Sequence, residues 1–167
     1  MLHAQKMARE QVEPNQMIRT DGGLSFPALK ELGEAFSLSC PETPCLVRGG
    51  QAHLLQVIEI LVENALKFSP DEKRVRIELC APGPNAILSV IDSGAGFPRE
   101  MGDALLKPFT IADISHYQKG TGLSLALACT IVGAYGGQIR AESEGEGKGA
   151  RFTVELPATV HLERLTE

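Results

Sequence analysis

No tryptophan occurs among the 167 residues, and aromatic side chains make up only 5% of them. A core must therefore be aliphatic, and the 43% hydrophobic content is enough to fill one. Basic charge is also short, with 16 Lys and Arg against 21 Asp and Glu, a net charge of −5. A nucleic-acid surface needs a basic stripe to displace counterions, so this balance argues against that class of partner. A nucleotide ligand remains open, because a small phosphate site can use backbone N–H groups instead of net charge. Cys-x-x-Cys pairs are missing. Cys40, Cys45, Cys80 and Cys129 stand apart, which points to buried or partly buried free thiols in a reducing compartment rather than a zinc site. No apolar run approaches the roughly 18 residues that cross a bilayer, and residues 1–10 lack the apolar stretch of a signal peptide. The expectation is a soluble cytoplasmic piece without membrane contact of its own. Any membrane anchor of a parent protein would lie outside it.

What is present begins weakly. Residues 1–20 are polar and end at Thr20-Asp21-Gly22-Gly23, a turn signal. Pro41 and Pro44 break the chain before Leu46-Val47, which fits a short strand. From Gln51 to Phe68, Leu54, Val57, Ile58, Leu61, Val62, Ala65 and Leu66 recur at helical spacing, and Ser69-Pro70-Asp71 stops the run. Strands are predicted over Arg74 to Cys80 and Ala86 to Ile91. In the first, Val75, Ile77 and Leu79 alternate with charged residues, so Arg74 and Arg76 belong to a solvated outer face. A second helix is expected from Thr121 to Tyr135 with Gly136-Gly137 as its stop. Two closing strands, Gln138 to Ser143 and Arg151 to Leu156, flank the Gly-rich segment Glu144 to Gly149. These elements suggest an α/β (α+β) two-layer sandwich, helices packed on one face of a mixed sheet.

Three segments at the ends of these elements carry chemistry. Asn64, beside Leu61 and Ala65, must find partners for its amide. Its carbonyl suits magnesium, whose other ligands are waters and phosphate oxygens. Lys67 lies on nearly the same helical face and can meet a phosphate. Asp92 follows an apolar strand and precedes Gly94 and Gly96; its carboxylate can accept from an exocyclic amine while the glycines let backbone approach a planar base. Lys119-Gly120-Thr121-Gly122-Leu123 opens the second helix, where free N–H groups and the helix dipole favour an anion. Each segment alone also fits a plain structural role: a core amide beside a solvated lysine, a strand-ending turn, a helix N-cap at Thr121. No Gly-Lys-Ser/Thr follows Gly122, so this is not a Walker loop, and a third glycine for a dinucleotide fingerprint is missing.

The order of the segments is more specific than any one of them. Twenty-eight residues separate Asn64 from Asp92 (92 − 64) and again Asp92 from Gly120 (120 − 92). At this point the chain resembles the catalytic and ATP-binding domain of sensor histidine kinases, in the superfamily shared with gyrase, Hsp90 and MutL. Glu63 to Pro70 is similar to that family's N box and Asp92 to Gly96 to its first glycine box. Leu106-Lys107-Pro108-Phe109 is similar to its F box, and Gly120-Thr121-Gly122-Leu123 to its second glycine box. The run from Gly147 to Pro157 is similar to its closing strand. The resemblance covers Leu46 to Pro157, and Lys67-Phe68-Ser69-Pro70 favours the histidine kinase branch.

The resemblance implies a Bergerat-type fold with a mixed, mostly antiparallel sheet, and ATP and magnesium as ligands. It implies that Asn64 holds magnesium, Lys67 approaches the phosphates and Asp92 reads the adenine amine. Gly94 and Gly96 would shape the base pocket, and Lys119, Gly120, Thr121, Gly122 and Leu123 would meet the phosphates. Residues 97–119 would be a lid that closes on nucleotide, with His116 and Tyr117 as further phosphate candidates beside Lys119. Glu63 is a candidate aid to proton removal from the acceptor. The implied reaction is transfer of the ATP γ-phosphoryl group to a histidine on a separate dimerisation domain, with a response regulator downstream. Residues 1–22 are expected to be a leading segment containing the end of a dimerisation helix, 23–160 the ATP-binding domain and 161–167 a tail. Among His3, His53, His116 and His161, none has the acceptor pattern, so the chain is expected to bind ATP without labelling itself. Three positions depart from the family pattern: Ile60 where an Asn or a water-activating Glu is frequent, Ser124 for Gly, and Ala150 for Ser or Thr. They motivate an alternative, a degenerate module of the same fold that transfers no phosphate. An anti-sigma-type serine kinase is disfavoured by the Lys-Phe-Ser-Pro ending.

Overall fold

The computed structural model describes residues 11–14, 19–20, 23–24, 27–40, 45–67, 74–107 and 124–161. Short strands β1 (Gln11–Val12), β2 (Arg19–Thr20) and β3 (Gly23–Leu24) lead to a helical turn α1 (Pro27–Lys30). Strands β4 (Phe36–Ser39) and β5 (Cys45–Arg48) precede the long helix α2 (Gln51–Lys67). The hairpin β6 (Val75–Cys80) and β7 (Asn85–Asp92) follows, then a short α3 (Gly102–Leu105). Helix α4 (Ser124–Ala134) and strands β8 (Gln138–Glu142) and β9 (Ala150–His161) complete the order.

Seven strands form one sheet, in the order β1-β5-β9-β7-β6-β4, with β8 also paired to β9. Only β4 and β6 run parallel; every other pair in the sheet is antiparallel. This is the mixed, mostly antiparallel sheet that the resemblance implies. Its inner face carries Val75, Ile77 and Leu79 from β6 and Ala86, Leu88 and Val90 from β7, all buried. Phe152, Val154 and Leu156 of β9 continue the layer. Helix α2 covers them with the six residues Leu54, Val57, Ile58, Leu61, Val62 and Ala65, whose spacing of three and one repeats along one stripe. Helix α4 contains no charged residue and buries Ala128 and Val132, while Leu127 stays 44% exposed.

The outer face of the sheet is polar, as the alternation in β6 predicts. Glu78 lies between Arg76 (2.7 Å) and Arg151 (3.5 Å). Glu155 accepts from Asn85, Gln138 and Arg140. All four cysteines are free, and three are buried or half-buried; Cys80 departs from expectation, ending β6 on the exposed face. Among the described residues no helix is long and apolar enough to cross a membrane.

Several elements differ from the sequence reading. Strand β4 has no counterpart there. Its four residues alternate half-buried and exposed, and a strand that short on a sheet edge leaves little periodicity to detect. Strand β9 runs from Ala150 past Pro157 to His161, longer than the expected Arg151 to Leu156. Pro157 falls where the neighbour on one side changes from β8, last paired at Glu155, to β5, first paired at Ala158. A missing N–H costs no ladder bond at such a junction. Asn85, expected in a turn, opens β7 opposite Pro157. Gln11 and Val12, placed by expectation near the end of a helix, pair instead with Arg48 and Val47.

One polar tie joins the two long helices. The Tyr135 hydroxyl accepts the Gly50 N–H (3.0 Å) just ahead of α2 and is hydrogen-bonded to His53 Nδ1 at 2.9 Å. Helix N-termini leave N–H groups without intrahelical partners, so this hydroxyl acts as a cap delivered from the far end of α4. Replacing Tyr135 by Phe should lower unfolding stability by about 1 kcal/mol, read from urea melts, because both partners lose a bond at a half-buried place.

Candidate functional site

Asp92 is the last residue of β7 and has the inward parity of Ala86, Leu88 and Val90. It is 7% exposed, one of two buried polar residues among those described. Its Oδ1 accepts the Gly94 N–H at 2.8 Å, closing an Asx turn that bends the chain away from the strand. Burial pushes its carboxyl from the usual 3.8 up to about 6, and hydrogen bonds from the Gly94 and Ala150 N–H groups oppose that rise. No ion pair reaches it among the described residues. A buried acceptor held by two backbone donors and left without a cation has unused capacity for a further donor.

Asn64 sits on the last full turn of α2, with Glu63 and Lys67 exposed on either side of it. The Asn64 Nδ2 is the one buried side-chain nitrogen or oxygen among the described residues without a hydrogen-bond partner. Burying an amide unpaired costs stability, so an orphaned one calls for a physical reason. The two ends of an amide exchange by rotation about one bond, so the same position can present a carbonyl oxygen. That is the donor magnesium takes, together with waters and phosphate oxygens. Among the described residues no group of three or more His, Cys, Asp or Glu gathers to hold a metal; a magnesium here would draw most of its ligands from a nucleotide.

The fold brings these two residues to one end of the sandwich. Leu54, Val57 and Ile58, in the first half of α2, line an apolar cavity with Leu79, Ala86 and Leu88 at the hairpin end of β6 and β7. The later turns of α2 therefore run toward the opposite end of β7, where Asp92 stands. Lys67 and Glu63 share that end. Of the remaining expected site residues, Gly94 and Gly96 are described, whereas Lys119, Gly120, Thr121, Gly122 and Leu123 lie outside the described residues. So do Pro108 and Phe109 of the F-box-like segment and the lid candidates His116 and Tyr117.

Behind Asp92, the loop Ser93–Phe97 is laced to the turn between β8 and β9. Gly147 N–H donates to Ala95 O (2.7 Å) and Gly149 N–H to Gly94 O (3.1 Å). Phe97 N–H donates to Ser143 Oγ (3.1 Å). Gly96 has φ +59°, and a Cβ on it would collide with the Gly145 carbonyl and the Ser143 hydroxyl. Its glycine is thus required by the approach of this turn. Gly149 has φ +71°, and a Cβ there would strike the Asp92 carbonyl. Gly149 entered the sequence reading only within the Gly-rich segment and the closing-strand run, and Ser143 only as the end of a predicted strand; the signal for both is the density of glycines from Gly145 to Gly149, which a plain hairpin does not need.

The chain is similar to known proteins over most of its length. Residues 49–160 match the family described as histidine kinase-, DNA gyrase B- and HSP90-like ATPase. Sporulation kinase D of Bacillus subtilis is 37% identical over 118 residues, 71% of this chain and 22% of that protein. Sensor histidine kinase WalK of the same organism is 35% identical over 136 residues, 79% of this chain and 22% of that protein. The chain thus spans about a fifth of the length of these curated relatives. Among solved structures, the mycobacterial sensor histidine kinase MprB superimposes with a TM-score of 0.71 at 25% identity, covering 89% of this chain and 97% of that one. The chain therefore belongs to the histidine kinase-, DNA gyrase B- and HSP90-like ATPase family, as a catalytic domain of the sensor histidine kinase kind.

Proposed function

We propose that the chain binds ATP with magnesium between Asp92 and Asn64 and donates the γ-phosphoryl group to a histidine on a dimerisation domain outside it. The observation that carries this reading is Asp92, a buried carboxylate with two backbone donors and no cation. Such a group raises the energy of the empty fold, and an exocyclic amine supplies the donor it lacks. The orphaned Asn64 amide, at the same end, supports magnesium as the second ligand, and family membership supports the nucleotide. Magnesium, when bound, would neutralise phosphate charge. Asn64 would hold it, and Lys67 would contact phosphate oxygens.

In the transfer, an acceptor imidazole nitrogen bonds to the γ-phosphorus as the bond from that phosphorus to the β,γ-bridging oxygen breaks and ADP leaves. The imidazole proton passes to a base. Glu63, exposed and adjacent to Asn64, would take it. Ile60 is half-buried and has no group that activates water, which supports phosphotransfer over hydrolysis. The lid candidates from residue 97 to Lys119, and the phosphate contacts Gly120, Thr121, Gly122 and Leu123, complete the proposal, as does a response regulator acting downstream.

The test uses γ-labelled ATP. The chain alone should bind Mg–ATP in calorimetry with a micromolar Kd and acquire no label. Mixed with the dimerisation domain of its parent protein, it should place acid-labile label on a histidine. ATP binding without any labelled histidine would favour the degenerate module that Ile60, Ser124 and Ala150 motivate. Acid-stable label on a protein target would point to a serine kinase.

A further inference from the structure

The Ser143 hydroxyl stands at the junction of the two segments that frame the site. It has one proton and two lone pairs, and the structure uses all three. It donates to Gly149 O at 2.7 Å and accepts from Phe97 N–H at 3.1 Å and Gly145 N–H at 3.2 Å. Gly145 O, at 3.1 Å, is a second and longer acceptor for the same proton. An ordinary turn serine serves its own turn, as the Gly145 bonds do. The other two bonds reach further.

Phe97 is 46 residues away in sequence and begins the segment assigned to the lid. Gly149 N–H in turn donates to Gly94 O at 3.1 Å, and Gly94 N–H donates to the Asp92 Oδ1 at 2.8 Å. Ser143, Gly149, Gly94 and Asp92 therefore form a hydrogen-bonded relay. Gly149 itself is locked by φ +71° and by its contact with the Asp92 carbonyl, so the relay has little slack.

We propose that Ser143 is a positioning residue for the nucleotide site, holding Asp92 through Gly149 and Gly94 and fixing the far end of the Ser93–Phe97 loop through the Phe97 N–H. The proposal deepens the ATP reading and rests on it for its functional consequence. Ser143 touches no nucleotide; it sets the acceptor strength and placement of the group that does.

The charged side chains around Asp92 act independently of this relay. Glu34, Arg74 and Arg76 border the recess on one side, and Arg99, Glu142, Glu144, Lys148 and Arg151 the recess on the other. None forms an ion pair with Asp92 among the described residues. A change confined to Ser143 leaves all of them in place.

The experiment compares Ser143→Ala, Ser143→Cys and Ser143→Thr with the wild-type chain. The titration midpoint of the Asp92 carboxyl is followed by carbon NMR without nucleotide, and the Mg–ATP Kd is measured separately. Ser143→Ala should raise the Asp92 midpoint by about half a pH unit or more and weaken Mg–ATP about tenfold, since one aligned donor to the carboxylate is loosened. Ser143→Cys, a weaker donor of similar size, should move both in the same direction. Ser143→Thr keeps the hydroxyl and should restore both. A purely structural serine would lower the melting temperature and leave the Asp92 midpoint at its wild-type value, and that result in Ser143→Ala or Ser143→Cys would overturn the proposal. A shifted midpoint in a chain whose wild-type form binds no ATP would uphold the Ser143–Asp92 link and overturn the nucleotide reading instead.

Discussion

Replacing Asp92 by Asn should weaken Mg–ATP binding about a hundredfold or more while making the empty domain more stable at neutral pH. Both effects follow from one carboxylate. The wild-type group offers acceptor lone pairs on two oxygens, enough for the Gly94 and Ala150 N–H groups and for an adenine amine. An asparagine offers one oxygen and one NH2. Whichever way it turns, a donor faces a donor, and an opposed buried pair costs on the order of 2–4 kcal/mol, which sets the expected loss. Adenosine and ADP should weaken by the same factor as ATP, because the damage is at the base.

The stability effect has a defined sign. In the unfolded chain Asp92 loses its proton near 3.8, and in the folded chain near 6. Between those values the folded state binds more protons, so this group's contribution to stability falls as pH rises from about 4 to about 6. Above 6 the full penalty is present, on the order of 3 kcal/mol for a gap of about two units. In Asp92→Asn that pH dependence disappears. Urea melts at pH 5 and pH 7.5 read it directly: the wild type should lose stability between them relative to the variant. Parallel curves for the two proteins would show that the carboxylate titrates normally.

Asn64→Asp should also abolish tight Mg–ATP binding, about a hundredfold or more, but with a different signature. The change keeps the size of the side chain and converts a neutral ligand into an anion. It does so in the last turn of α2, where the helix dipole already places partial negative charge, beside a site assigned to phosphates. Adenosine, which carries no phosphate, should bind Asn64→Asp as it binds the wild type. The pair of variants thus separates the two ends of the site: Asp92→Asn loses adenosine, Asn64→Asp keeps it. Loss of adenosine by both would mean that the Asn64 change has disturbed the fold rather than the metal, and unchanged Mg–ATP affinity in Asn64→Asp would remove Asn64 from the site.

Much of this arrangement is legible in the chain because it is local. The stripe from Leu54 to Ala65 needs only helical period, and the alternation from Val75 to Leu79 only strand period. Asn64 and Asp92 stand out because each is a polar residue where its neighbours call for an apolar one. What stays hidden depends on distant pairing. Phe36 to Ser39 becomes a strand because β6 lies beside it in parallel, and four residues at a sheet edge do not announce that. Ala158 to His161 continue β9 because β5, more than a hundred residues earlier, supplies the ladder. Ser143 looks like any serine before a glycine-rich turn. Its hydroxyl bonds to Phe97 N–H and Gly149 O, and neither bond leaves a periodic trace. The Cβ positions of Gly96 and Gly149 are closed by backbone from other segments, so the demand for glycine is visible only after folding.

Strand β9 has a consequence for how the domain comes into being. It pairs along its length with β7, β8 and β5, so it is the central plank of the sheet although it is the last strand of the fold to be synthesised. Until residues 150–161 have left the ribosome, β5 and β7 have open edges toward the missing strand, and the apolar stripe of α2 has only part of a floor. Closing β5 onto β9 joins segments separated by more than a hundred residues, a loop whose entropy must be lost before the contacts form. Assembly of this domain is therefore expected to be late and cooperative, with the exposed edge strands as the period of greatest aggregation hazard. A nascent chain stalled before Ala150 would contain Asn64 and Asp92 but lack the strand that pairs with β7 along its whole length, from Asn85 to Asp92.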